Sequence, residues 1–269
     1  MPVPRRYRAI FISDVHLGTR RAQAELLLDF LRVTESDSLY LVGDLIDGWS
    51  MQKKWFWEQS HNDVIQKLLR KARKGTRVIY IPGNHDENFR DFANMRFGRV
   101  AVVNDYVHIT ATGKRYLVLH GDKFDGVVRY AKWLAVLGDH AYEVAMSTNV
   151  LVNRFRRMLR LPYWSLSAYL KYRVKQAVEF LSHFEEAVVR EARSRGAEGV
   201  ICGHVHTPAD RDIGGIHYLN DGDWVESCTA LVEHLDGRFE ILEWAKLTQT
   251  MEHVALAHPD RHGRLVAAG

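Results

Sequence analysis

The chain has 269 residues, 46% of them hydrophobic and 26% charged, which excludes wholesale disorder and supplies the core of one large domain or of a domain with an insertion. Its net charge of +4 and isoelectric point near 9.0 favour acidic partners such as phosphate esters, nucleic acid or anionic lipid without choosing among them. Two cysteines, Cys202 and Cys228, make neither a disulfide framework nor a Cys-x-x-Cys knuckle, so they read as small core residues in a reducing compartment. With no apolar stretch of membrane-spanning length and no signal-peptide core at the N-terminus, the expectation is a soluble cytoplasmic protein that keeps the option of peripheral membrane contact.

The first strand-like run, 8–13, ends in Asp14-Val15-His16. In an extended chain, alternation puts Asp14 and His16 on one side, where both can grip one ion. Alone, the pair is equally well read as a turn aspartate with a chance histidine. An amphipathic helix follows over 22–33, with Leu26, Leu27, Phe30 and Leu31 at helical spacing. A second strand, 38–42, ends in Gly43-Asp44-Leu45-Ile46-Asp47. Gly43 permits close backbone approach, the two oxygens of Asp44 suit a bridge between two ions, and Asp47 reads as a supporting residue. A second helix is expected over 55–74. A third strand, 77–81, enters a Pro-Gly turn that delivers Asn84, His85 and Asp86 in succession.

Strand character returns over 100–109 and 115–119, and the latter ends in His120-Gly121-Asp122. From 124 to about 195 the pattern is helical, with no ligand type at a strand end. Leu151, Phe155, Met158 and Leu159 share one helical face, and Arg154, Arg156, Arg157 and Arg160 the other. This stretch reads as a helical cap, 124–182, inserted in a main domain of residues 1–246. Solvated helices with surface arginines carry equal weight. A short strand, 198–202, ends in Gly203-His204-Val205-His206, where two alternate histidines can each take a metal. Closing strands are expected over 216–219 and 231–244 around the Asn220–Trp224 loop. Residues 247–269 read as a loose tail in which His253, His258 and His262 are solvated.

Five segments thus carry Asp-x-His, Gly-Asp-x-x-Asp, Gly-Asn-His-Asp, His-Gly-Asp and Gly-His-x-His, each after a short apolar strand. Carboxylate, imidazole and amide ligands without thiolate suit Mn²⁺, Fe²⁺ or Zn²⁺ better than Ca²⁺ or a structural cysteine–zinc site. Two such ions about 3.5–4 Å apart can clamp a phosphoryl group and activate a water.

In this order and spacing the motifs, from about residue 9 to His206, resemble the calcineurin-like metallophosphoesterase superfamily. The resemblance implies an α/β fold, a four-layer α/β/β/α sandwich with the dimetal site at its strand ends. It implies Asp14, His16 and His206 on the first metal, Asp44 as the bridge, and Asn84, His120 and His204 on the second metal. His85 matches the catalytic imidazole and Asp47 the carboxylate that orients it. Within the superfamily the chain looks most like the bacterial UDP-2,3-diacylglucosamine diphosphatases and their relatives. The cues are chain length, His120-Gly121-Asp122, the helical insertion after it, and Gly203-His204-x-His206-x-Pro208. That likeness implies Mn²⁺-dependent hydrolysis of a diacylated UDP-sugar to UMP and the lipid 1-phosphate, in lipid A synthesis, at the inner membrane face. The best-known members carry Arg where this chain has His85.

Charge and position nominate Asp122, Tyr130, Arg154, Arg157, Lys171, Arg173 and Lys175 as contacts for substrate phosphates. The expected partner is a phosphorylated amphiphile. A phosphomonoesterase or phosphodiesterase acting on small nucleotides is the second reading, and a non-catalytic scaffold the third. A nucleic-acid enzyme is disfavoured, because no basic stripe with interleaved aromatics lies outside the cap.

Overall fold

The structure, a computed structural model, describes residues 5–124 and 181–249. Its strands are β1 (Arg5–Ile12), β2 (Thr34–Val42), β3 (Arg77–Ile81), β4 (Arg96–Phe97), β5 (Val100–Val102), β6 (Tyr106–Ile109), β7 (Arg115–Val118), β8 (Gly199–Cys202), β9 (Ala209–Ile213), β10 (Ile216–Asn220), β11 (Thr229–Glu233) and β12 (Phe239–Glu243). Its helices are α1 (Ala24–Val33), α2 (Gly48–Lys53), α3 (Gln59–Arg73), α4 (181–194) and α5 (244–249), the last taking in the first residues of the expected tail. The strands form two mixed sheets. One has seven strands in the order β12-β11-β1-β2-β3-β5-β4, and the other has five in the order β6-β7-β8-β10-β9.

The sandwich follows from two-sided burial. Along β1, Ala9 and Phe11 pack with Tyr40, Val42, Ile79 and Ile81 of their own sheet against Tyr116, Val118, Ile201 and Leu219 of the other. Phe11 stacks on Tyr40 with ring centroids 4.5 Å apart. The alternate residues Ile10 and Ile12 face the other way and join Leu27, Phe30 and Leu31 of α1 and Val64 and Leu68 of α3. Strands apolar on both faces are what a parallel core sheet covered by helices requires. Each fully buried side chain of this kind contributes roughly 1.5–3 kcal/mol.

Chain order then positions the ligands. β1, β2 and β3 lie side by side and parallel, as do β7 and β8 in the second sheet. Their C-terminal ends are followed directly by Asp14, Asp44, Asn84, His120 and His204.

Several expectations need correction. β2 begins at Thr34, four residues before the apolar run, because Thr34 and Ser36 are buried polar residues that apolar periodicity does not register. The helix expected over 55–74 begins at Gln59, and the separate helix α2 precedes it, nucleated by Asp47 as its cap. Residues 100–109 are two strands in different sheets, β5 and β6, since an apolar run carries no mark of a sheet change. β9 is a polar edge strand, with no apolar run to announce it. The segment 231–244 is a hairpin, β11 with β12, rather than a single run.

The chain divides into two compact units, Met1–Gly121 with Ala192–Gly269, and Asp122–Glu191. Of the expected cap, all but residue 124 and residues 181–182 lies outside the described residues, as do Tyr130, Arg154, Arg157, Lys171, Arg173 and Lys175. The same holds for the tail beyond 249, with His253, His258 and His262. Both cysteines are buried thiols outside any disulfide. Among the described residues no helix is long and apolar enough to cross a membrane.

Candidate metal centre

The loops after β1 and β2 run as a pair, with His16 N donating to Asp44 O at 2.9 Å, Leu17 N to Leu45 O at 2.9 Å and Asp14 N to Gly43 O at 3.1 Å. These bonds hold Asp14, His16 and Asp44 in the left-handed region, at φ of 49°, 52° and 51°. His204 and His206 share it, at 70° and 51°. Five non-glycine residues in that region at one site is stored strain, kept because surrounding bonds over-determine it. Asp14 and His16 therefore do not meet through strand alternation, as their spacing suggests. A turn, not an extended chain, brings them together.

Two glycines make the approach feasible. A Cβ on Gly43 (φ 87°) would lie 2.2 Å from His120 Nδ1, and one on Gly83 would lie 2.2 Å from Asp44 Oδ1.

The side chains converge as two groups, Asp14 with His16 and His206, and Asp44 with His120 and His204. Asp44 Oδ2 stands between them, 3.7 Å from His16 Nε2 and 3.5 Å from His120 Nε2. Asp14 Oδ1 lies 2.7 Å from His206 Nε2 and 3.7 Å from His16 Nε2. Most of these separations are too long for hydrogen bonds. They are close to the spacing of ligands around a common ion, about 3.0–3.5 Å for metal–ligand bonds near 2.1 Å. Outer contacts fix which nitrogen faces inward. His120 Nδ1 donates to Val42 O at 2.8 Å, which turns Nε2 toward Asp44. His204 N donates to Asp14 Oδ2 at 2.7 Å, leaving Oδ1 for the centre.

Asp47 ties two histidines together. Its Oδ2 lies 3.2 Å from His16 Nδ1, its Oδ1 lies 3.0 Å from His85 Nδ1, and Oδ1 also accepts the Ser50 amide at 2.7 Å as the cap of α2. His85 Nε2 is 4.0 Å from Asp44 Oδ2. Trp49, the second residue of α2, packs against the His85 ring with centroids 4.4 Å apart and the planes tilted by 37°.

Charge in this pocket is out of balance. Burial pushes the carboxyls of Asp14, Asp44 and Asp47 up, yet the surrounding histidines overcome it and hold all three well below the usual carboxylate range. Burial likewise pulls His16 down, but the neighbouring carboxylates of Asp14, Asp47 and Asp44 raise it to about 9. With the imidazoles neutral, as ligation needs, three buried carboxylates lack compensation. Among the described residues, buried Asn84 Oδ1 and His16 Nε2 have no hydrogen-bond partner, which is the state of a donor atom shaped for a cation. The residues fit divalent ions: Asp14, His16 and His206 can hold one, and Asp44, His120 and His204 another.

Three supporting residues have no role assigned from the sequence. Asp86 accepts from Tyr80 OH at 2.5 Å, Gly83 N at 2.6 Å and Leu45 N at 2.8 Å, which locks the Asn84-His85 turn to the Asp44 loop. Asn220 donates to Gly203 O at 2.8 Å, and Asp221 accepts from Ser13 Oγ at 2.7 Å. Burial first, and then the charge of Asp14, push the Asp221 carboxyl well above its ordinary range. The signal was present: Asn220-Asp221 also follows a strand, β10, parallel to β8. Of the residues nominated for substrate, Asp122 is the one described. It is partly buried and opens a 3-10 turn, Asp122–Phe124.

The model of the calcineurin-like phosphoesterase family matches residues 7–208. The chain belongs to that family. It is a metal-dependent phosphohydrolase with an α/β sandwich fold. Among curated proteins it is 30% identical over 239 residues to a UDP-2,3-diacylglucosamine hydrolase of Xanthomonas campestris pv. campestris, covering 85% of this chain and 96% of that one. It is 27% identical over 239 residues to a protein of the same name from Neisseria meningitidis serogroup B, covering 80% and 89%. Among solved structures it is similar to Yfce, a phosphoesterase from E. coli, with 15% identity, 87% and 98% coverage and a TM-score of 0.41.

Proposed function

We propose that this phosphoesterase hydrolyses the pyrophosphate of a UDP-2,3-diacylglucosamine-type substrate, giving UMP and a lipid 1-phosphate in the lipid A pathway. One observation carries the reading: near-full-length similarity, 96% of the relative's length at 30% identity, to a protein named for that substrate. Two divalent ions, Mn²⁺ being the first choice, would supply Lewis-acid charge and an activated water when bound. The chain's own groups supply the rest. Asp14, His16, Asp44, Asn84, His120, His204 and His206 hold the ions. Asp47 Oδ1, 3.0 Å from the Nδ1 of His85, turns His85 Nε2 outward to meet a phosphoryl oxygen or hand a proton to the leaving group. Trp49 fixes the plane of that ring. A helical cap over 124–182, with Asp122, Tyr130, Arg154, Arg157, Lys171, Arg173 and Lys175 toward the substrate's phosphates, would hold the acyl chains and lie against anionic lipid at the inner membrane face.

A second reading is favoured by one residue. His85, set against Asp47, is the general phosphoesterase arrangement and suits a small nucleotide ester as well. The test is Mn²⁺-dependent UMP release from detergent-dispersed UDP-2,3-diacylglucosamine, beside a chromogenic phosphodiester, for wild type, Asp44→Ala and His85→Ala. UMP release abolished by Asp44→Ala is the expected result. Diester cleavage without UMP release would reject the lipid and leave the small-nucleotide reading.

A further inference from the structure

At the other end of the seven-stranded sheet, the starts of β1 and β2 and the last turns of α1 and α3 line a groove of about 680 Å³. Roughly 25 Å of strand separates Ser36 in this groove from Asp44 at the metal centre. Six cations line it, Arg6, Arg32, Lys67, Arg70, Lys71 and Lys74, against two carboxylates, Glu35 and Asp37. Arg6 and Asp37 take each other at 3.0 Å. Five cations are then left facing Glu35, and Arg32, Lys67, Arg70 and Lys74 make no ion pair among the described residues.

Part of this charge offsets the negative ends of α1 and α3, whose last turns carry Arg32 and Arg70, Lys71 and Arg73. That account does not cover two buried groups. Lys71 is only 8% exposed and donates to the Thr34 carbonyl. Burial and then the neighbouring Lys67 and Lys74 bring its pKa down to about 8, so an anion beside it would relieve a real cost. Ser36 is also 8% exposed, lines the groove, and its Oγ has no hydrogen-bond partner among the described residues. A buried hydroxyl without a partner, beside converging cations, calls for an oxyanion that accepts from all of them.

We propose that this groove binds a phosphate group, either as free inorganic phosphate or as the phosphate of an anionic lipid headgroup. The site is separate from the metal centre and stands whatever the substrate is. The test titrates the metal-loaded full chain with inorganic phosphate by calorimetry. In parallel it sediments the chain with vesicles of phosphatidic acid in phosphatidylcholine and with phosphatidylcholine alone. The Arg70→Ala/Lys74→Ala double variant removes two exposed side chains and leaves the core intact. The expected result is a binding class weakened at least about tenfold in this variant, with chromogenic diester hydrolysis unchanged. Ser36→Ala should weaken the same class. Loss of phosphate binding assigns the free ion, and loss confined to phosphatidic acid vesicles assigns the headgroup; both support the site. If neither phosphate nor phosphatidic acid binding responds to the double variant, the proposal is overturned and the cations serve the helix ends alone.

Discussion

Two buried clusters in this protein are made of the same residue types and behave in opposite ways. In one, His108, Glu233, Tyr40 and Arg8 sit at the edge of the inter-sheet core. His108 Nε2 is 2.7 Å from Glu233 Oε2, Tyr40 OH is 2.9 Å from His108 Nδ1, Arg8 Nη1 donates to Glu233 Oε2 at 3.0 Å, and the Ala111 amide donates to Oε1 at 2.7 Å. In the other, all three of Asp14, His16 and Asp44 in left-handed backbone, His16 Nε2 lies 3.7 Å from both Asp14 Oδ1 and Asp44 Oδ2, and neither His16 Nε2 nor Asn84 Oδ1 has a hydrogen-bond partner among the described residues. A histidine–carboxylate pair that satisfies itself is structure. One that is held just too far apart to do so is waiting for a cation.

That contrast can be broken by substitution. Asp44→Ala should lower hydrolysis by at least about 10³-fold, with loss of bound metal by elemental analysis and a retained circular dichroism spectrum. Glu233→Ala should act the other way round. It strands His108 and Arg8, costing about 3–5 kcal/mol of stability in a denaturant titration, while metal content and activity per folded molecule hold. If Glu233→Ala instead strips metal, the two clusters are not separable as described. Asp47→Asn, which keeps the cap of α2 but weakens its grip on His16 and His85, should cost about 10–100-fold in metal affinity or turnover.

The pH response sharpens the same distinction. In metal-stripped protein the folded pKa of His16, about 9, lies above the ordinary histidine value, so its contribution to stability is full below pH 6.5 and is lost as pH rises through 9. The thermal midpoint of the stripped chain should fall across that window, and metal should abolish the fall, because ligation needs the neutral ring. The smallest effect is expected at Trp49→Ala. Losing the ring contact with His85 should cost about 0.5–1.5 kcal/mol of positioning, read as a fall in kcat with little change in KM.

Much of the site can be read from the chain, because strand ends are local events. An apolar run of four or five residues followed closely by Asp-x-His, Gly-Asp, Gly-Asn-His, His-Gly-Asp or Gly-His is visible without knowing where the strands lie. Asp14, Asp44, Asn84, His120 and His204 are nominated on that basis, and the structure groups Asp14 with His16 and His206, and Asp44 with His120 and His204. Other features are not local. The roles of Asp86 and Asp221 depend on partners far along the chain, at Leu45 and Ser13. Trp49 sits in a helix too short for its periodicity to show.

By itself the sequence determined which side chains stand at the strand ends, the ligand chemistry they share, and which strands are apolar on both faces. Those are properties of short windows, set by period and by the residue that ends each run. Only the tertiary structure decided how the ligands sort into two groups. Sorting depends on the parallel order β1-β2-β3 facing β7-β8, and on turns that hold Asp14, His16 and Asp44 in left-handed backbone where alternation predicted extension. Only the tertiary structure, likewise, separated His108 from His16, because whether a buried imidazole is satisfied depends on distances to residues more than a hundred positions away in the chain.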